Sequence, residues 1–462
     1  MAPHEENFDV VILGAGTGGA SAAAFFAESG YRTALLDRRP FSEAGARWIN
    51  GVPDWMFEQA GVELPQNPEL RGSPGVGRFT LLGIHDGARL SVDDSPVLRV
   101  DMRLLVERLQ KRARQAGAVV FEQIQLGDFE FENDRPRSLE LQREGNGASL
   151  RLRASLFVDA SGLNGAIRRK VPSLDAVCPK VPAQHLCTAA QEVCEVLDPQ
   201  GAEDFLHRYR AQPEEVVCRT GVDGGYSIAN VVVEHGNEEA ELLTGSIADG
   251  NHASGPELIR QLRVREPWLG PAKFGGSGLI PLRRPYDRLA VPGLALIGNS
   301  ACQVFPAHGS GIGIGMLAAK ILVESVRTFS DPGCLEATWA YSAGFHRRHG
   351  GLLGAYDVFR RLSQSLSGAE TEILLKSGLI TMGGFRAGMV QRMPPVGLKE
   401  ALVQLGGMLR SPRLGLHLLR RIAPLPRVYR HYQRYPLEPD EVELRRWSSK
   451  IAGFFGEAPD LN

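Results

Sequence analysis

Apolar and polar positions divide the chain into three regimes. In the first, short, mostly apolar runs at residues 10–13, 32–36, 155–158 and 294–297 lie close to a glycine or an acid. Such runs predict strands buried on both faces of a parallel sheet. Helical patterns lie between them. The alanine-rich stretch 20–29 predicts one helix and 53–60 a short second one. Residues 101–116 predict a third, with Leu104, Leu105, Leu109 and Ala113 at helical spacing and Gly117 to end it. A fourth leads out of a glycine-rich segment to about residue 327.

The second regime is strand-like and alternating. Residues 61–98 are rich in glycine and proline and carry short pieces such as 78–84. From 176 to 280, runs at 185–196, 215–220, 226–234 and 241–247 are interrupted by helical segments at 202–211 and 256–266. This pattern predicts an α+β unit with a largely antiparallel sheet. The third regime, residues 331–462, reads as helical. The expected architecture is therefore α/β. A Rossmann-type domain with a parallel sheet is assembled from 1–60, 97–175 and 285–330. A substrate domain from 61–96 and 176–284 is inserted into it, and a helical C-terminal region follows.

Chemistry concentrates at residues 9–37. Gly14, Gly16 and Gly19 stand in G-x-G-x-x-G spacing directly after the first strand, with Ala15, Thr17 and Gly18 between them. Gly14 allows the tight turn, Gly16 lets a pyrophosphate approach the backbone, and Gly19 lets the helix pack on the strands. The helix start offers free N–H groups and a positive dipole end to phosphates. Asp37, 18 residues beyond Gly19, ends the second strand, where a carboxylate accepts hydrogen bonds from ribose hydroxyls. Strand, turn, helix, strand and acid in this order predict a dinucleotide site. Arg38, Arg39 and Arg47 follow; they either help to hold adenosine or phosphate or are solvated surface.

Three later features point to the same site. Arg103 sits in the first turn of the 101–116 helix, where a cation opposes the helix dipole and a nearby anion would explain it. The strand at 155–158 ends in Asp159-Ala-Ser-Gly162, followed by Arg168. The strand at 294–297 leads through Gly298 and Asn299 to Pro306 and then Gly309, Gly311, Ile312, Gly313 and Gly315 at a helix start. Each glycine within a helix costs about 0.5–1 kcal/mol against alanine. Close approach of a flat, phosphate-bearing ligand would justify that cost, as would tight helix packing.

Composition removes other classes. The net charge of −1 does not suit a nucleic-acid binder. No apolar run approaches the length needed to span a bilayer, and the polar start MAPHEENFD leads straight into a strand, which favours the cytoplasm. The six cysteines show no C-x-x-C pair and no zinc spacing, so reduced thiols and no metal are expected. Residues 386–434 hold ten Lys/Arg against one acid, Glu400, with leucines interleaved. Two readings of that stretch stand level. One is contact with an anionic membrane or an amphiphilic substrate, making the protein peripheral to a membrane. The other is a helical cap balanced by acids elsewhere.

With these motifs in place, residues 8–330 resemble the FAD-dependent oxidoreductases that include geranylgeranyl reductases, p-hydroxybenzoate hydroxylase-like aromatic hydroxylases and flavin-dependent halogenases. The resemblance implies FAD as cofactor. Gly14, Gly16, Gly19 and Asp37 match the ADP-binding unit, and VDASG with Arg168 is similar to the second flavin motif. Residues 296–315 look like the third motif, and Arg103 matches an arginine near the FAD pyrophosphate. Two departures stand out. Asn299 replaces an aspartate that accepts a hydrogen bond from the ribityl chain, and the W-x-W-x-I-P signature of tryptophan halogenases is absent. No second dinucleotide unit exists, so NADPH or NADH binding transiently, or a separate partner, would supply electrons. Trp48, Tyr226 (in a GGYSI stretch that faintly resembles a reductase motif) and His308 are candidates for the substrate pocket. His308 is expected beside the flavin and satisfied by backbone bonds. No catalytic acid or base stands out. The resemblance implies an oxidoreductase acting on a hydrophobic small molecule, with reduction of an isoprenoid or lipid-like substrate leading. The alternatives are a monooxygenase or halogenase-like tailoring enzyme, and a redox-inactive FAD- or lipid-binding protein.

Overall fold

The computed structural model describes residues 4–72, 77–85, 87–143, 149–395 and 397–461. Its first sheet is built on the strand His4–Leu13, whose Val10, Val11 and Ile12 are fully buried. Thr33–Leu36 and Ser149–Asp159 flank it in parallel, and Val119–Phe121 and Leu294–Leu296 extend the sheet in parallel beyond them. All four runs read as buried strands thus lie side by side. The strands Ile124–Glu132 and Arg135–Arg143 form an antiparallel extension onto Ser149–Asp159. Small side chains set the layer above. In the helix Thr17–Glu28, Ala20, Ala22, Ala23 and Ala24 are buried against the sheet and its neighbours. The helix Met102–Gln115 starts where the side chain of Asp101 accepts a hydrogen bond from the Arg103 amide. The helix Ile312–Val326 crosses the first helix closely enough that a Cβ on Gly315 would lie 3.8 Å from Gly18 Cα.

The second sheet has seven strands. Leu186–Val196, Val216–Thr220, Ser227–Val233, Glu239–Ile247 and Leu269–Pro281 pair antiparallel. Phe79–Leu82 and Arg89–Val92, from the excursion after residue 61, complete its far edge. One face is covered by the helices Pro199–Tyr209 and Gly255–Arg265 around Phe205, Trp268 and Leu262. The opposite face is left for the C-terminal helices.

Beyond residue 334 the chain is helical. The helix Glu441–Phe455 packs Trp447 and Ile451 against Trp339, Tyr432 and Tyr435. Ion pairs then tie the C-terminal end to the segment that re-enters the first sheet. Asp460 accepts from Arg283 Nη2 at 2.8 Å, and Glu457 pairs with Arg361 at 2.5 Å and with His185 at 3.3 Å. The buried Arg283–Asp460 pair holds geometry more than it adds stability, and the partly exposed contacts of Glu457 join the C-terminal end to Arg361 and to His185, just ahead of the second sheet's strand Leu186–Val196. All six cysteines are free, five of them buried.

Candidate active site

The three glycine motifs, spread over 300 residues, converge at the carboxyl end of the parallel strands. Gly14 has φ +104°, and a Cβ there would meet the Ala160 carbonyl oxygen at 2.3 Å. The first motif thus rests on the second, since Ala160 follows Asp159. A Cβ on Gly19 would come within 1.8 Å of the Gly14 oxygen, so that helix start can pack only with glycine. Gly16 faces Gly45, backbone against backbone, with 3.1 Å between its notional Cβ and Gly45 Cα. Ala15 and Thr17 are buried, and the Ala15 amide donates to Asp37 Oδ2 at 2.8 Å. The other Asp37 oxygen accepts from the Arg39 amide at 2.9 Å. Asp37 therefore ties the turn to the end of the second strand. Arg38 next to it is exposed.

The second motif is a lock. Asp159 is fully buried; Oδ1 accepts from the Ser161 amide and hydroxyl, and Oδ2 from the amides of Ile167 and Arg168. The Arg168 guanidinium reaches the Ser300 carbonyl at 3.2 Å and lies over the Tyr286 ring. Arg168 thereby joins the second motif to the third. Gly162, at φ +84°, has nothing within 4 Å of its Cβ position.

In the third motif the glycines separate into two roles. Gly313 and Gly315 serve helix packing: a Cβ on Gly313 would strike Met56 Sδ at 2.0 Å. Gly309 and Gly311 shape the loop. Gly309 has φ +72°, and a Cβ there would lie 3.6 Å from Ile280 and Leu282, while Gly311 caps the helix 3.4 Å, measured from its Cβ position, from Asn299 Oδ1. The half-buried Asn299 side chain makes no hydrogen bond among the described residues, so its carboxamide stays free beside the helix N-terminus. Pro306 is buried, and Ile312, half-buried, opens the helix.

Arg103 finds its anion inside the protein. Its guanidinium donates to both oxygens of Asp101, at 3.0 and 2.6 Å, and lies 3.3 Å over the Phe274 ring centroid. Two residues that the sequence reading passed over also matter. Buried Gln110 donates from Nε2 to the carbonyls of Ala15 at 2.9 Å and Phe41 at 3.1 Å, holding the glycine turn from behind. Its signal was a glutamine among the inward-facing positions of an amphipathic helix. Gln191 clamps Ile49 through both the carbonyl and the amide of that residue, which fixes the chain just after Trp48.

Beside this convergence lies a cavity of about 1250 Å³. Its floor is the open face of the second sheet, including Leu81, Ile228 and Leu243, and its walls include Phe359, Leu362 and Leu375. Trp48, Tyr226 and His308 all line it. A Cβ on Gly276 or Gly278 would lie 3.6 Å from the Trp48 ring, so the glycines leave room for it. Tyr226 borders the same small cluster as Ile280 and Leu282, which Gly309 faces, so it stands one layer from the third motif. Desolvation pushes its phenol well above the usual tyrosine range. His308 packs at a tilt against the Phe305 ring and donates from Nε2 to the Gly388 carbonyl at 3.3 Å. Its free surface faces the cavity, and the surrounding protein pushes its pKa down to about 4, so the ring is neutral at pH 7. Among the described residues, no group of three or more His, Cys, Asp or Glu could hold a metal, and no helix is long and apolar enough to cross a membrane.

A parallel sheet carrying three glycine turns at one edge, with a second sheet walling an apolar cavity beside it, is the arrangement of FAD-dependent oxidoreductases. The chain belongs to the FAD binding domain family, whose model matches residues 7–251. It is an FAD-dependent oxidoreductase. The digeranylgeranylglycerophospholipid reductase of Sulfolobus acidocaldarius is 21% identical over 97% of this chain and 97% of its own. A geranylgeranyl bacteriochlorophyll reductase-like structure from Thermoplasma acidophilum superposes with a TM-score of 0.71 at 16% identity, covering 90% of this chain and all of that one. The myxobacterial chondrochloren halogenase, an FAD-dependent enzyme, follows with a TM-score of 0.58 at 18% identity over 95% and 99% of the two chains.

Proposed function

We propose that this protein is an FAD-dependent reductase of an isoprenoid or lipid-like chain. The cavity carries this reading. At about 1250 Å³ it exceeds the roughly 300–1,000 Å³ of pockets for compact ligands, and its floor and walls are dominated by aliphatic and aromatic side chains. An extended apolar chain fits that shape and chemistry better than a single polar ring. The curated relative that matches nearly the whole chain is named as a reductase of a geranylgeranyl lipid.

The chain's own residues fit the cofactor. The Gly14–Gly19 turn, with Ala15, Thr17 and Gly18, would present amides to the pyrophosphate, backed by Gln110. Asp37 keeps acceptor capacity on both oxygens for ribose hydroxyls, with Arg38 at the rim. Gly162 leaves open space where a side chain would stand. The free carboxamide of Asn299 would take the ribityl chain, and Pro306, Gly309, Gly311 and Ile312 would seat the ring system at a positive helix end. Arg103, held by Asp101, would stabilise the phosphates at a distance. Bound there, FAD supplies two-electron redox chemistry. Trp48, Tyr226 and His308 would orient the substrate and exclude water; neutral His308 keeps charge out of an apolar chamber. NADPH or NADH would deliver electrons by transient binding. The basic stretch 386–434 would hold the enzyme against an anionic membrane: Arg413, Arg420, Arg421, Arg427, Arg430 and Arg434 are exposed and have no carboxylate partner among the described residues.

The test is a visible spectrum under anaerobic conditions. Bleaching of bound FAD by NADPH or NADH, and its recolouring by a geranylgeranyl lipid without oxygen, is the expected result. Recolouring that requires oxygen and leaves an oxygen atom or halogen in the product would replace the reductase by a tailoring enzyme. A flavin that neither nicotinamide nor dithionite reduces would leave a binding protein.

A further inference from the structure

Two consecutive helices, Leu398–Arg410 and Pro412–Ile422, have one face toward the cavity and another toward solvent. Ala401, Gln404, Leu418 and Ile422 line the cavity. About a quarter-turn away, the other face is apolar and bare. Leu402, Leu405 and Leu409 form one stripe at i, i+3 and i+7, exposed by 60%, 54% and 77%; Leu416 and Leu419 form a second, at 50% and 47%. With Val403, this short stretch holds six of the seventeen large exposed apolar side chains among the described residues. A lone exposed leucine needs no explanation, but a contiguous patch does.

Charge indicates what covers the patch. Arg413 and Arg420 share the stripe of Leu416 at helical spacing, and Arg410 and Arg421 stand beside it. None of the four pairs with a carboxylate among the described residues. A protein partner or a second copy would have to bring acids to meet them. Leucines flanked by unpaired arginines match an anionic bilayer, with aliphatic side chains in the acyl boundary and guanidinium groups at the phosphates. The pair is also loosely held. Apart from apolar packing, the only side-chain hydrogen bond from either helix to the rest of the protein, among the described residues, is Arg410 Nη1 to the Ser377 carbonyl, at 3.2 Å. Elements with few such ties open at low free energy.

We propose that this helix pair is a membrane-seated gate: its outer face lies in anionic lipid, its inner face closes the cavity, and the substrate chain passes between bilayer and cavity beneath it without crossing water. The proposal rests on the lipid-chain reading above. It adds that docking and loading are one event at one element.

The test uses the FAD-loaded protein and vesicles of phosphatidylcholine with phosphatidylglycerol, carrying a pyrene-labelled phospholipid as an occupancy probe. The wild type is expected to cosediment with these vesicles and to take up the probe. Arg410, Arg413, Arg420 and Arg421 changed together to Gln should weaken vesicle binding about a hundred- to a thousandfold, and probe uptake should fall in parallel. L405S/L409S should lose both as well. Unchanged flavin absorbance shows that each variant is folded, and uptake from detergent micelles should be unchanged. Wild-type indifference to anionic vesicles overturns the proposal. So does undiminished uptake from vesicles by a variant that no longer binds them, or a stable dimer that hides the face. Uptake without any reduction of a geranylgeranyl lipid supports the gate while the reductase reading fails.

Discussion

Asn299 offers a sharp test of the proposal that the third motif seats FAD. Its Oδ1 lies by Gly311, at the start of the helix Ile312–Val326, and its carboxamide is otherwise unpaired among the described residues. Asn299→Asp adds one negative charge there without changing size. Two effects follow, and they are separable. A carboxylate near a helix N-terminus gains about 0.3–1 kcal/mol in the empty and the loaded protein alike, so it raises stability without changing affinity. A charge-assisted bond to a ribityl hydroxyl exceeds a neutral one by about 1 kcal/mol and exists only with FAD bound. That difference is roughly a five- to tenfold tighter dissociation constant. Desolvation subtracts little, because the site is half-buried. The assay is fluorescence titration of FAD into apoprotein, alongside urea unfolding of the apoprotein. Higher apoprotein stability with unchanged or weaker FAD affinity would refute the ribityl contact and leave Asn299 as a helix-cap residue alone.

Three further expectations follow from the same geometry. Gly19→Ala should abolish soluble, FAD-loaded protein, because its Cβ would lie 1.8 Å from the Gly14 carbonyl. Gly18→Ala, whose Cβ finds its nearest neighbour at 3.8 Å, should fold, and expression with flavin absorbance separates the two. Gln110→Met keeps the volume but leaves the Ala15 carbonyl unpaired and takes one of two donors from the Phe41 carbonyl; it should cost about 1–3 kcal/mol, read as a lower urea midpoint and FAD lost on gel filtration. Acid should destabilise the fold through His346 and His349. Burial pushes His346 down to about 3, helped by the nearby Arg284 cation, and His349 down to about 4. Above pH 6.5 both rings are neutral in either state. Below it the unfolded chain binds protons that the folded chain refuses, so each group removes about 1.4 kcal/mol per pH unit until its folded pKa is reached. His346→Phe, which keeps the stack on Tyr435 and the tilted contact with Trp447, should flatten the fall in urea midpoint between pH 6 and 4; an unchanged slope would remove His346 from the account.

Residues 10–13, 32–36, 155–158 and 294–297 were legible as strands because burial on both faces favours runs of apolar side chains, and the strand of the second run starts at Thr33, after exposed Arg32. The glycine turns were legible because backbone that must come close, or adopt positive φ, tolerates no Cβ, and Gly14 and Gly19 show both needs. Asp37 was legible from its place at a strand end. The helical character of the last third followed from its spacing, with the regular structure beyond residue 334 entirely helical.

The partners of those residues were decided by the tertiary structure. Periodicity records whether a side chain is buried, but not which distant residue it meets. Arg103 signalled an unmet anion, and only folding showed that Asp101, two residues away, meets it together with the Phe274 ring. The glycines at 309–315 looked alike in sequence; Met56 and Gly18, from far earlier in the chain, divided them into packing and loop-shaping positions. Gln110 and Gln191 act through carbonyls, which every residue carries and no sequence pattern marks. The largest gap concerned residues 386–434, where charge and leucine spacing left a solvated cap and a lipid-facing surface level. Folding sets Arg386 beside Asp94 and leaves Arg413, Arg420 and Arg421 with no carboxylate among the described residues, which supports the lipid-facing proposal. A surface cap would draw carboxylates to its cations, and whether they come is set by where the chain folds its acids.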